Sequence, residues 1–316
     1  MVEYAIRRVA YGLLVVLFVL VAVFLALHEV PGDAVRLQLA DAPGITEEQI
    51  AERTAALGLD QPVGTQLLRF LGGVFTGDFG RSFQDDSSVA GEIAKRLPIT
   101  LELGVMALII GIVLGLTMGM ISAVRANTWV DQTFRVVSVS GLSIPNFWLG
   151  LLLVTYLAIY FGWSPPLVYK GPTDDLASNL SQMILPAFAL GVAAMAGTAR
   201  LLRSSLLEVM QSNFVRTVKA RGAAPTTVLL KHATRNSILP VFTVLGLQVG
   251  TILGGTVILE SIFSIPGMGL MIFRAVQVRD YPVVLGCVVV YAVVFVFVNI
   301  VVDLMYGLID PRVRYR

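Results

Sequence analysis

Six stretches of this chain run without a single Asp, Glu, Lys or Arg: Val9–Leu27, Leu103–Val124, Val136–Trp163, Leu180–Ala199, Asn236–Leu259 and Tyr281–Val302. A bilayer core about 30 Å thick takes about 20 apolar residues as a helix. In lipid only a helix or a closed barrel satisfies its own backbone groups. Six such stretches commit the chain to an all-α polytopic membrane fold. Composition agrees: 56% of the 316 residues are hydrophobic and 14% charged, where soluble domains carry about 25% charged residues. A soluble enzyme, a disordered chain and a nucleic-acid binder are excluded on that basis. The net charge of +2 is too small to hold phosphate backbones by bulk attraction. The single cysteine, Cys287, has no partner in the chain and says nothing about redox compartment.

Arg7 and Arg8 before the first stretch give it the look of a signal peptide. Its apolar run exceeds the roughly 7–15 residues of a signal core, and no small-residue cleavage site follows. It is expected to stay as the first span. Val136–Trp163 is long for one crossing, so part of Val136–Ser143 is expected at the interface or in the cytoplasm.

Basic residues set the orientation. With the N-terminus inside, 14 of the 23 Lys and Arg residues and 5 of the 21 acidic ones fall on the inner face. The inner face is then strongly positive and the outer face negative, which predicts six spans with both termini inside.

Between the spans, Glu29–Glu102 is an outer region of its own. Thr46 with Gln49 reads as a capping box opening a helix over Thr46–Leu57, broken by Gly58–Pro62. Gln66–Phe75 is a second amphipathic stretch, closed by Gly77-Asp78. The region is either a structured surface loop or a partner-docking element. A second outer segment, Ser164–Ser181, is rich in turn residues. On the inner side, Arg200–Arg235 holds seven basic residues and one acidic one. It reads as a helix through Phe214–Arg221, a break at Gly222-Ala223-Ala224, Pro225 in a helix first turn, and a second helix to about Arg235. Positive-inside bias explains the charge but not two short helices around a turn. That shape docks into a groove on a soluble partner.

Small residues recur at four-residue spacing as Gly111, Gly115 and Gly119 in span two and Gly246, Gly250 and Gly254 in span five. Such rows let backbones approach closely in lipid. In span two packing within the chain is favoured; in span five packing and a subunit seam stand level. No Lys or Arg sits mid-span, and Glu102, Glu260 and Asp303 fall at span ends, where they are expected to reach water. His28 and His232 are far apart, and no metal-ligand spacing, nucleophile elbow or phosphate loop occurs. The chain is therefore expected to carry neither catalysis, nor a metal, nor a nucleotide site. What remains is a passive pathway. Pro145 interrupts span three, followed by the amide Asn146; Gln248 lies in span five. An amide in lipid needs a partner, so both are expected to face the interior, as interhelical glue or as lining of a wet route.

The inner-loop sequence Arg216-Thr217-Val218-Lys219-Ala220-Arg221-Gly222, with Leu229-Leu230-Lys231-His232-Ala233-Thr234-Arg235-Asn236-Ser237-Ile238-Leu239-Pro240, resembles the coupling loop of ABC importer permeases. The likeness is closest to the dipeptide/oligopeptide branch. Other stretches agree: Gly58-Leu59-Asp60-Gln61-Pro62, Gly77-Asp78-Phe79-Gly80-Arg81-Ser82, Pro145-Asn146-Phe147-Trp148-Leu149-Gly150, Glu260 to Gly269, Arg279-Asp280-Tyr281-Pro282 and Asp310-Pro311-Arg312. The loop departs from the general importer pattern, which opens Glu-Ala-Ala where this chain has Arg216-Thr217-Val218. The resemblance implies a type I importer permease: one transmembrane domain over 1–316, with an extracytoplasmic insertion at 29–102 and a cytoplasmic coupling loop at 200–236. It implies a second homologous permease subunit, two cytoplasmic ATPase subunits that bind ATP and Mg, and an extracytoplasmic substrate-binding protein, in the cytoplasmic membrane of a bacterium or archaeon. On this reading Arg216, Thr217, Lys219, Ala220, Arg221, Gly222, Ala223, Pro225 and His232 couple to the ATPases. Pro145, Asn146, Gln248, Glu260, Phe263 and Pro266 belong to the translocation path and its gate, with Ser261–Gly269 as an outer re-entrant cap. The resemblance leaves the cargo open among peptides, glutathione, nickel chelates, opines and oligosaccharides. The rivals are a secondary transporter or channel, which would place carboxylates at the midplane, and an intramembrane enzyme.

Overall fold

The computed structural model describes residues 2–29, 35–36 and 46–309. The Asp310-Pro311-Arg312 motif, Arg314 and Arg316 lie outside them. In chain order the named helices are α1 (Val2–Glu29), α2 (Glu47–Ala56), α3 (Val63–Thr76), α4 (Val89–Val124), α5 (Trp129–Ser143), α6 (Asn146–Phe161), α7 (Leu176–Gln211), α8 (Asn213–Ala220) and α9 (Pro225–Thr227). A π-helical turn, Val228–Ala233, follows, then α10 (Thr234–Ser237), α11 (Leu239–Ile262), α12 (Met268–Gln277) and α13 (Tyr281–Ile309). Among the described residues five helices are long and apolar enough to cross a membrane, or six if α5 and α6 count as one broken span.

Val136–Trp163 is broken into two helices, α5 and α6, bent by 105°. The cause is Pro145, whose ring drives the preceding residue out of the helical region; Ile144 sits at φ −85°, ψ 122°. Pro145 therefore interrupts the stretch, as its position in the sequence predicts, and stands at the N-cap of α6. α7 runs 36 residues to Gln211, about 54 Å at 1.5 Å per residue, so the first part of the Arg200–Arg235 segment, with Arg200 and Arg203, is a helical extension of the fourth charge-free stretch.

The chain divides into two units. One holds residues 101–265 and 298–316, the other residues 2–100 and 266–297. In the first, α7 is the most buried helix, with the side chains of Met183, Leu202 and Leu206 fully enclosed. The span-two glycines pack against it. A Cβ built on Gly111, Gly115 or Gly119 would stand 2.7 Å from Ala194 Cβ, Thr198 Cβ or the Ala199 carbonyl oxygen respectively. The contacts climb both helices together, so α4 and α7 run the same way, as alternate spans must. The packing reading of that row holds. The span-five row is mixed: Gly246 meets Val302, while Gly254 faces open space. The close approach belongs to Gly255, whose built Cβ would stand 2.7 Å from both Asn146 Nδ2 and Leu190 Cδ2.

The second unit is knitted around Val89, Ile93, Met268, Met271, Val284 and Cys287, all buried. Its outer helices form as their caps direct. Thr46 and Gln49 make the capping box of α2, and α3 ends on Gly77 at φ +76°. The Gly77–Ser82 and Arg279–Pro282 motifs meet through Asp280, which accepts the Ser82 hydroxyl at 2.6 Å and the Phe83 N–H at 3.1 Å. Met268 N–H donates to Thr100 Oγ1 at 2.8 Å, fixing the start of α12.

Candidate functional site

Two surfaces of the first unit gather the residues singled out above, except Pro266, which belongs to the second unit. The first is the inner loop. Ser212 caps α8, its hydroxyl accepting the Val215 N–H. The helix closes in a Schellman arrangement: Gly222 N–H donates to Lys219 O at 2.9 Å and Ala223 N–H to Val218 O at 3.4 Å. That closure needs a left-handed residue, and Gly222 has φ +81°. Pro225 then stands in the first turn of α9. Val215, Val228 and Ala233 are fully buried and tie the two arms together. Phe214 meets His232 edge to face at 6.0 Å. The chain over Val228–Ala233 adopts π rather than α pitch, which sequence patterning did not signal. Arg216, Thr217, Lys219, Ala220, Arg221, Gly222 and Pro225 are exposed, Ala223 and His232 partly so. Arg216, Lys219 and Arg221 have no carboxylate partner among the described residues. The result is a pinned helix–turn–helix with an unneutralised basic face.

The second surface is where α11 meets α6 and α7, at three levels. At the first, Gln248 Nε2 donates to Ala194 O at 3.2 Å, crowding Gly197. Its Oε1 is buried with no partner among the described residues. At the second, Asn146 fills the space left by Gly255, its Oδ1 accepting the Phe147 N–H at 2.8 Å. At the third, Gly150 admits Leu259 and Phe263. The glue reading thus holds for half of the Gln248 amide, while its other half stays unsatisfied. Pro145 is exposed, Pro266 half-buried and Phe263 buried. Glu260, expected to reach water at a span end, is 0% exposed: the turn after α11 folds back, with Ile265 N–H donating to Glu260 O at 2.9 Å. Glu102 is likewise inside a continuous helix, its Oε2 accepting the Tyr169 hydroxyl at 2.7 Å. Burial and that carboxylate push the Tyr169 phenol well above its ordinary range, so it remains a donor.

Sequence reading missed one strong feature. Asp131, 1% exposed, takes a two-pronged contact from Arg203, with Nε to Oδ1 and Nη2 to Oδ2 both at 2.7 Å. Ser122 and the Asn127 N–H complete its shell. The Arg203 guanidinium and these donors outweigh burial and hold the carboxyl far below the usual carboxylate range. The available signal was a lone acid within a basic face; its partner, 72 residues on, could not be named without the fold.

Several helices long and apolar enough to cross a membrane, with an exposed basic helix–turn–helix between two of them, define a multi-pass membrane protein. The family model for the inner membrane component of binding-protein-dependent transport systems matches residues 104–315, and the N-terminal model of the same components matches residues 1–104. The chain belongs to that family of inner-membrane transport components. Among curated relatives, it is 36% identical over the full length of both chains to the dipeptide transport system permease protein DppB of Alkalihalophilus pseudofirmus and to that of Escherichia coli K12. It is 37% identical, again over both full lengths, to the glutathione transport system permease protein GsiC of Escherichia coli K12. Among solved structures, the MetNI methionine ABC transporter in inward-facing form aligns with a TM-score of 0.55 at 18% identity, covering 69% of this chain and 96% of that one. An amino acid ABC transporter with histidines gives 0.51 at 14%, covering 71% and 94%. Both establish the fold of an ABC importer membrane subunit.

Proposed function

We propose that this chain is the permease subunit of an ATP-driven importer that moves di- or oligopeptides, or a related small solute such as glutathione. The full-length identity to permeases named for dipeptide and glutathione transport carries the reading. The working complex would pair this chain with a second homologous permease, two cytoplasmic ATPase subunits and an extracytoplasmic substrate-binding protein, with ATP and Mg held by the ATPases and no catalysis in this chain. The segment from Arg216 to His232 would couple to the ATPases. Its exposed, unneutralised basic face and buried Val215–Val228–Ala233 support make it a rigid lever rather than a loose loop. The route would run along the α6–α7–α11 face past Asn146 and Gln248, under a gate that includes Glu260, Phe263, Pro266 and the Pro145 break. The half-satisfied Gln248 amide is the observation favouring a wet route there, since a buried carbonyl oxygen needs water or a moving partner. The α6–α7–α11 face beneath the gate, with amides in place of ionisable side chains at Asn146 and Gln248, also suits cargo of varied sequence, because tight binding would stall release.

The test is reconstitution with ATPase, second permease and substrate-binding subunits of the same source, following uptake of labelled dipeptide into vesicles. ATP-dependent uptake that requires the binding protein is the expected result. Uptake driven by an ion gradient without ATP would favour a secondary transporter and end this reading. Asn146→Leu and Gln248→Leu should each lower uptake while leaving assembly intact; failure to assemble would assign both amides to packing alone.

A further inference from the structure

The inner end of the first unit holds a cavity of about 280 Å³ between α4, α5 and α7. Its chemistry is two-sided. Met118, Phe134 and Val139 give it apolar lining, and three arginines, Arg135, Arg200 and Arg203, line it as well. Among the described residues no carboxylate lines it, and Arg203 is held in place by its two-pronged contact with Asp131. Arg135 reaches only the neutral Gln132 Oε1, at 3.4 Å. Arg200 has no carboxylate partner among the described residues, and the buried Ser138 adds a hydroxyl.

Depth decides the ligand. Arg135 and Arg200 flank the ends of charge-free stretches, one before Val136 and one after Ala199. The cavity thus lies at headgroup level on the positive side. Val136 and Val139 beside it are exposed apolar residues, a surface suited to acyl chains rather than water. Positive-inside bias accounts for arginines at this level, but not for three of them lining one cavity, with Arg203 locked by Asp131. We propose that this cavity is a binding site for the phosphate of an anionic phospholipid of the inner leaflet, held by Arg135 and Arg200 against the fixed Arg203. Its volume falls just below the roughly 300–1,000 Å³ of small-molecule pockets, which suits a headgroup with the tails lying outside.

The experiment is native mass spectrometry of the full-length chain in mild detergent, exchanged into equal amounts of phosphatidylglycerol and phosphatidylcholine. Each lining arginine would supply a charge-assisted contact to the phosphate, so its removal should lower the phosphatidylglycerol preference about tenfold. Arg135→Gln and Arg200→Gln should each show that loss and the double variant should approach no preference. Arg125→Gln, at the same end but outside the cavity, should keep it. Equal retention of the two lipids by the wild-type chain would overturn the proposal and hand the arginines to a protein partner. An unchanged preference in both single variants would overturn it too. Displacement of phosphatidylglycerol by millimolar inorganic phosphate would show a free-anion site and refute the lipid assignment.

Discussion

Replacing Gly115 and Gly254 in turn by alanine separates buried packing from open helix surface within one chain. In an unobstructed helix interior alanine is favoured over glycine by about 1 kcal/mol. Gly254 meets nothing within 4 Å, so Gly254→Ala should be neutral or stabilising by up to about that amount. At Gly115 the added Cβ would fall 2.7 Å from Thr198 Cβ and 2.9 Å from the Met195 carbonyl oxygen. Neither neighbour can swing aside, since one is backbone and the other a fully buried β-branched residue. The two helices must separate, and overpacking of this kind costs about 1–3 kcal/mol. Set against the propensity gain, Gly115→Ala should lose up to about 2 kcal/mol. Both variants can be purified in one detergent and unfolded by sodium dodecyl sulfate, with helicity followed by circular dichroism. A Gly115→Ala variant as stable as Gly254→Ala would refute the packing argument. If Gly254→Ala is stable alone yet fails to assemble with partner subunits, the outer glycine lies on a subunit seam.

Asp131→Asn removes the partner of an Arg203 side chain that is 20% exposed, and should cost about 3 kcal/mol. Because the folded carboxyl is held below its ordinary value near ~3.9, the stabilisation is complete above that value and is lost as pH falls through the folded one. Thermal unfolding from pH 7 to pH 3 should show an acid-side decline in wild type that flattens in Asp131→Asn; identical profiles would exclude the pair as its source. Gly222→Val meets no side chain, so its cost is backbone alone, about 1–2 kcal/mol for a left-handed β-branched residue. It should leave insertion intact and uncouple ATP hydrolysis from uptake, and normal transport would show that the turn is dispensable. Ser264, exposed at φ +54° in the turn after α11, should when changed to cysteine react with an impermeant thiol reagent from outside; labelling only from the cytoplasm would overturn the topology.

Much of this protein was legible in its sequence because lipid leaves the backbone few choices. A charge-free stretch of sufficient length must be a helix, and basic residues resist translocation, so spans and orientation follow from local pattern. Caps are local too: Thr46 with Gln49, Gly77 and Gly222 announced helix ends that depend on neighbours within a few residues. The inner loop was readable for the same reason, since Gly222 and Pro225 dictate a turn wherever the loop lies. Tertiary structure decided what depends on distance along the chain. A helix break at Pro145 is local, but its 105° angle is set by what α5 and α6 pack against. The glycine row of span five looked uniform, yet Gly246, Gly254 and Gly255 meet three different surroundings, because only packing distinguishes the faces of an apolar helix. Glu260 looked like a water-reaching end group until the turn after α11 folded over it. The pairing of Asp131 with Arg203 joins residues far apart in sequence, and electrostatic partners at that separation carry no signature in either segment alone.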